Sequence, residues 1–124
     1  MSADPIDVVT RFCKTWESVD IDALMEFFAD DAVYHNMPIA PVSGTAMIRT
    51  TIEGFAGGGD KIEFDVLAIA AVGNTVLTER VDRFVSPGKT IELPVMGTFE
   101  IVDGKIAAWR DYFDLNQFMS QLSG

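Results

Sequence analysis

A single cysteine, Cys13, and a single histidine, His35, are all the thiol and imidazole that this 124-residue chain has. One cysteine closes no internal disulfide, and a zinc site usually draws on several such ligands, so neither staple nor metal is expected. Basic residues are scarce as well: 9 Lys and Arg against 19 Asp and Glu leave a net charge of −10. That balance argues against nucleic acid or an anionic membrane surface as a partner. The acids are dispersed along the chain, so they do not form an acidic tail. No apolar run nears the roughly 18 residues that a membrane span needs. Met1 leads into a polar Ser-Ala-Asp-Pro start and not a basic, then apolar, run, so no signal peptide is read here. The expectation is a cytoplasmic protein without a cofactor.

Apolar residues are plentiful. At 48% hydrophobic, the chain has enough for one core, and its length suits a single domain over residues 1–124. Asp4-Pro5 is a helix start, and Ile6, Val9, Phe12, Cys13 and Trp16 recur at helical spacing to about Ser18. Asp20 caps a second expected helix with Ile21, Leu24, Phe27 and Phe28 on its apolar face, ending at Asp30-Asp31. Ala32 to Met37 reads as a short strand, Tyr34 and Asn36 pointing one way and Val33, His35 and Met37 the other. A loop over Pro38 to Gly44 leads to a third helix over Thr45 to Phe55, with Met47, Ile48, Ile52 and Phe55 on one side and Gly57-Gly58-Gly59 as its stop.

From Lys61 the pattern changes to period two. Ile62 to Ala71, Thr75 to Val85, Thr90 to Ile101 and Lys105 to Phe113 are strand candidates joined by hairpin-length turns, and Asp114 to Leu122 closes the chain as a helix. Helices first and a long antiparallel meander afterwards make an α+β domain. A strongly curved sheet with helices across its concave side would leave a pocket between them.

Charges interrupt this alternation in two places. Val76, Thr78, Arg80, Asp82 and Phe84 share one strand face, and so do Trp109, Asp111 and Phe113. Arg80 with Asp82, taken alone, reads as a solvated strand face, because charges are mostly exposed. Asp111 between two large aromatics reads as at least partly buried, either as a structural acid or as a catalytic one. Such a carboxylate needs a partner, and Arg80 is the candidate. The strand between them carries Ile91, Leu93, Val95, Gly97, Phe99 and Ile101 on one face without a charge; Gly97 leaves room, and Pro94 marks an edge or a bulge. Tyr34 with Asn36 fits a hydrogen-bonded strand pair or a water site, His35 reads as surface or packing, and the Glu79/Arg83 face as solvated.

Taken together, Tyr34-His35-Asn36-Met37-Pro38, Thr78-Glu79-Arg80-Val81-Asp82 and Trp109-Arg110-Asp111-Tyr112-Phe113-Asp114 resemble the limonene-1,2-epoxide hydrolase family. The likeness runs from the first helix to the Phe118 region. It implies N-terminal helices on a curved, mainly antiparallel sheet, a cystatin-like cone of the nuclear-transport-factor-like type that usually forms a homodimer. It implies a triad of Asp82, Arg80 and Asp111, with a water held by Tyr34, Asn36 and a carboxylate. The implied reaction adds water to a small epoxide in one step, Asp111 as base, Asp82 as acid and Arg80 bridging them, without cofactor or metal. The same cone hosts isomerases, polyketide cyclases and non-catalytic binding modules, which need no arginine between two acids.

Overall fold

The computed structural model describes residues 4–56 and 61–123. Helix α1 spans Pro5–Thr15; the Asp4 carboxylate accepts from the Ile6 N–H at 2.9 Å, and Pro5 fills the first position, where no N–H is needed. Its inner face, Val8, Val9, Phe12 and Cys13, is buried, and a single tight turn over Trp16–Ser18 carries the buried Trp16. Helix α2, Ile21–Met25, is capped by Asp20, whose carboxylate accepts from Ala23 N at 3.2 Å.

The second helix is shorter than its sequence suggests. Strand β1 already begins at Phe28 and runs to Asn36, so Phe27 and Phe28 do not extend the helical stripe and Asp30-Asp31 does not end it. Tertiary packing decides the matter. Phe28 is buried against Phe12 and Trp109, and the Ile106 N–H donates to the Phe27 carbonyl at 2.8 Å. A two-residue strand β2, Val42–Ser43, pairs with β1 inside the segment expected to be loop. Helix α3, Thr45–Ala56, buries Ile48, Ile52 and Ala56, whereas Met47 is half exposed and not part of the inner face. The glycines expected to stop α3, Gly57 to Gly59, lie outside the described residues.

The four expected strands form as β3 (Lys61–Val72), β4 (Thr75–Ser86), β5 (Lys89–Val102) and β6 (Lys105–Tyr112), followed by helix α4, Leu115–Ser123. The sheet order is β2-β1-β6-β5-β4-β3. All neighbours are antiparallel except β1 and β6, which run parallel and set Tyr34 beside Trp109 and Asn36 beside Asp111. Register shifts at Val66/Ala68, Glu100/Ile101 and Phe28/Val33 bend the strands, as bulges do. Helix α1 and the Trp16 turn pack on β3, and α3 packs on β1.

Pro94 sits in β5 where the sequence suggested an edge. Strand β5 outruns β6, whose pairing with it begins at Met96, so Pro94 has a strand neighbour only in β4. Two residues earlier, Gln121 of α4 serves the free edge: its side chain accepts from Glu92 N and donates to Glu92 O, both at 2.8 Å. Successive same-edge positions lie two apart, so the missing N–H of Pro94 falls on this strandless side.

Candidate active site

Alternation along β4 turns Val76, Thr78, Arg80 and Asp82 to the concave face and Leu77 and Glu79 to solvent. Arg80 is 1% exposed, and Asp82 and Asp111 are each 4% exposed. The wet-surface reading of Arg80 and Asp82 therefore fails, and the buried ionic site stands. Across the sheet, Asn36, Asp111, Gly97 and Thr78 occupy one row on β1, β6, β5 and β4. Gly97 is the gap in that row. A Cβ built there would stand 2.5 Å from Asp111 Oδ1 and closer still to Arg80 Nη1, so only glycine lets the arginine reach across β5.

Every donor of the guanidinium is engaged. Nε and Nη2 donate to Asp82 at 3.0 and 2.8 Å; Nη1 and Nη2 donate to Asp111 at 3.2 and 2.9 Å; Nη1 also donates to Thr78 Oγ1 at 3.2 Å. Two fork-like pairs on one planar cation fix both carboxylates in direction as well as distance, which a lysine could not do. The cation lies 4.9 Å from the Phe64 ring centre and 6.0 Å from that of Phe99. Thr78 is itself fixed by donating to the Gly97 carbonyl at 3.1 Å.

Trp109 adds a contact that the sequence reading missed. Its Nε1–H donates to Asp111 Oδ1 at 2.6 Å, so Asp111 accepts three N–H bonds and Asp82 two. The sequence carries part of this signal, since Trp109 and Asp111 share a strand face; the capacity of the indole to donate supplies the rest. Tyr34 stacks on Trp109, ring centres 4.1 Å apart and 9° from parallel, which fixes the phenol at the cavity wall.

Burial sets the protonation of this cluster. Loss of water pushes the Asp82 carboxyl up to about 6; the Arg80 charge and hydrogen bonds oppose the rise, and the Asp111 charge adds to it. Burial opposes the charge on Arg80 too, but the two carboxylates more than offset it and hold the guanidinium well above its ordinary pKa. Burial, then the Asp111 charge, pushes Tyr34 far above the usual phenol range, so it stays a donor. Two carboxylates with one guanidinium are neutral when one proton is shared among them, and Asp82 is the carboxyl that burial drives towards holding it.

Tyr34, Asn36, Asp82 and Asp111 face one cavity of about 30 Å³, whose other walls are apolar. That is room for a water or two. Phe55, Phe84 and Phe118 line both this cavity and a groove outside it, so these three rings form the partition between them. All five residues expected to form the site are thus brought together. His35 is not among them; its Nε2 lies 2.9 Å from the Ile39 carbonyl in the loop beyond β1. Among the described residues, no group of three or more His, Cys, Asp or Glu side chains is disposed to hold a metal, and no helix is long and apolar enough to cross a membrane.

A family profile described as the limonene-1,2-epoxide hydrolase catalytic domain matches residues 3–123. The chain is similar to epoxide hydrolase EphG of Mycobacterium tuberculosis, with 33% identity over 120 residues, 94% of this chain and 78% of that protein. Among solved structures it resembles an LEH-like epoxide hydrolase of M. tuberculosis, with a TM-score of 0.84 and 31% identity over 99% of this chain and 92% of the other. A Catenulispora acidiphila protein with a ketosteroid-isomerase-like fold superposes with a TM-score of 0.80 at 20% identity, covering 92% and 90% of the two chains. That last likeness is one of fold alone, and it agrees with the expected cone.

Proposed function

We propose that this chain, which belongs to the limonene-1,2-epoxide hydrolase family, adds water to a small epoxide to give a vicinal diol. The observation that carries the reading is the fully engaged Arg80, joined to two buried aspartates that face one cavity. Opening an epoxide needs a proton delivered to the ring oxygen and a proton taken from the attacking water. Two carboxyls can divide those tasks when their environments differ. In this reading Asp82, the carboxyl that burial drives towards the proton, is the acid, and Asp111, fixed by three N–H donors, is the base.

The step balances without a covalent intermediate. Water lies between Tyr34, Asn36 and Asp111; its oxygen forms a bond to one ring carbon as its proton passes to Asp111. The C–O bond on that carbon breaks, and the oxygen takes the proton of Asp82. Turnover leaves Asp111 protonated and Asp82 ionised, and a proton moves back between them to restore the starting state. Apolar walls strengthen each interaction by excluding bulk water. A covalent route would need a histidine to activate the hydrolytic water, and His35 is committed elsewhere.

Phe55, Phe84 and Phe118, which line both the cavity and the groove outside it, stand on the substrate's path to the two aspartates. The apolar walls fit a small cyclic or terpenoid epoxide. The reading includes a homodimer: Leu77, Met96 and Tyr112 are exposed on the sheet face turned away from the cavity. The test is incubation with cyclohexene oxide, limonene oxide and a steroid ketone, followed by product analysis. Diols from the epoxides and an unchanged ketone are expected, and Asp111→Asn should remove nearly all turnover while leaving the fold intact. A fully active Asp111→Asn protein would end this mechanism.

A further inference from the structure

The chain has two tryptophans, and both are buried. An indole N–H can only donate. Trp109 gives its proton to Asp111. Trp16, 1% exposed, has no acceptor: among the described residues its Nε1 is the one buried side-chain nitrogen or oxygen left without a hydrogen bond. Such orphaned donors are rare because they are unfavourable, so each calls for a reason. Trp16 is not free to turn towards an acceptor, being stacked on Phe64 at 4.6 Å and set edge-on to Phe12 and Trp109 at 6.1 and 6.2 Å. It also lines the cavity that holds Asp82 and Asp111.

The sheet order locates this donor relative to the reaction. Tyr34 and Asn36 are on β1, Asp111 on the adjacent β6, Asp82 on β4, and Phe64 on β3 directly across from Asp82. Trp16 rests on that Phe64. Across the cavity the sequence is therefore water site, base, acid, indole. Attack from the side opposite the breaking bond sets the leaving oxygen away from the water, on the side of Asp82 and Trp16.

We infer that the Trp16 Nε1–H is a second donor to the epoxide oxygen, meeting the negative charge that develops there as the C–O bond breaks. This rests on the epoxide-hydrolase reading of the same site. The indole keeps its proton throughout; Asp82 supplies the one that is transferred. A donor that meets charge present only in the transition state acts on kcat and leaves substrate binding nearly unchanged.

The experiment compares the unsubstituted chain with two variants on cyclohexene oxide. Trp16→Phe removes the N–H and part of the ring; replacement of Trp16 by 3-benzothienylalanine keeps the bicyclic shape and removes the N–H alone. In both variants kcat should fall about 10- to 100-fold, less than for loss of a sole oxyanion donor because Asp82 remains. KM should stay within about threefold, the pattern of an interaction made only in the transition state. The benzothienylalanine protein decides between this role and packing. If it turns over like the unsubstituted chain, Trp16 is only a wall and the inference falls while the hydrolase reading stands. If the unsubstituted chain makes no diol, both fall.

Discussion

Filling the gap at Gly97 with one methyl group should dismantle the site from beneath. In Gly97→Ala the new Cβ would lie 2.5 Å from Asp111 Oδ1 and 3.1 Å from Thr78 Oγ1, and closer still to Arg80 Nη1. Arg80 cannot simply swing aside, because its other end is fixed by two bonds to Asp82 and its plane lies near Phe64 and Phe99. Relief comes from withdrawing Nη1, which breaks its 3.2 Å bonds to Asp111 and Thr78. A charge-assisted hydrogen bond contributes about 1.5–3 kcal/mol and a second, to a neutral hydroxyl, about 1 kcal/mol. Alanine in a strand returns roughly 0.5–1 kcal/mol of backbone entropy. The net loss is about 2–3 kcal/mol, a fall in Tm on the order of 10 °C for a domain of this size. A displacement of Asp111 by about 1 Å should lower turnover on the order of 100-fold. Gly54→Ala on α3 is the control: nothing lies within 4 Å of its added Cβ, so activity should be unchanged and stability about 0.5–1 kcal/mol higher. Thermal unfolding and diol formation on the two variants decide the point. A Gly97→Ala protein with native Tm and native turnover would refute the idea that Arg80 needs that space.

Other consequences follow from the same charges and surfaces. Asp82 must hold a proton, and burial pushes its carboxyl up to about 6, so kcat/KM should fall about tenfold per pH unit above that value. Its native pKa lies above the ordinary 3.8, so the native state binds the extra proton. Its stability contribution is therefore complete below about pH 4 and lost as pH rises through 6, on the order of 3 kcal/mol for a shift of this size. Asp82→Asn should remove this pH dependence of stability and nearly all activity; an Asp82→Asn protein that still loses stability across that window would contradict the assignment. Sedimentation at micromolar concentration should give the mass of two chains, and Met96→Lys should shift it towards one; a monomer at every concentration would end the homodimer proposal.

The parts of the molecule legible in the sequence are those fixed by local pattern. Alternation alone gave β3 to β6, and the capping signals at Asp4 and Asp20 gave the starts of α1 and α2. Adjacent aromatics at Phe27-Phe28 fit a helical stripe as well as a buried strand; long-range contacts distinguish the two, the Ile106 to Phe27 hydrogen bond across 79 residues of chain and the packing of Phe28 on Trp109. The parallel pairing of β1 with β6, which brings Asn36 beside Asp111, is likewise a contact between distant segments. Burial of Arg80 and Asp82 could not be read from their own strand, where two charges two residues apart look like wet surface. Asp111 between Trp109 and Phe113 pointed to it, and the likeness of all three motifs to one family carried the conclusion. Strand alternation marks Gly97 as a space but does not show that Arg80 passes through it. The unpaired Trp16 N–H left no trace in the sequence, since its spacing in α1 is that of any core residue.

The central claim is that water attacks the epoxide directly, with Asp111 removing its proton and no bond forming to the protein. A single turnover in ¹⁸O-labelled water with enzyme in excess tests it, the diol and the protein then being weighed by mass spectrometry. Direct attack puts one label in the diol and none in the chain, in the first turnover as in later ones. An unlabelled diol from the first turnover, with label appearing in an aspartate after repeated turnovers, would mean a covalent ester and would contradict the account.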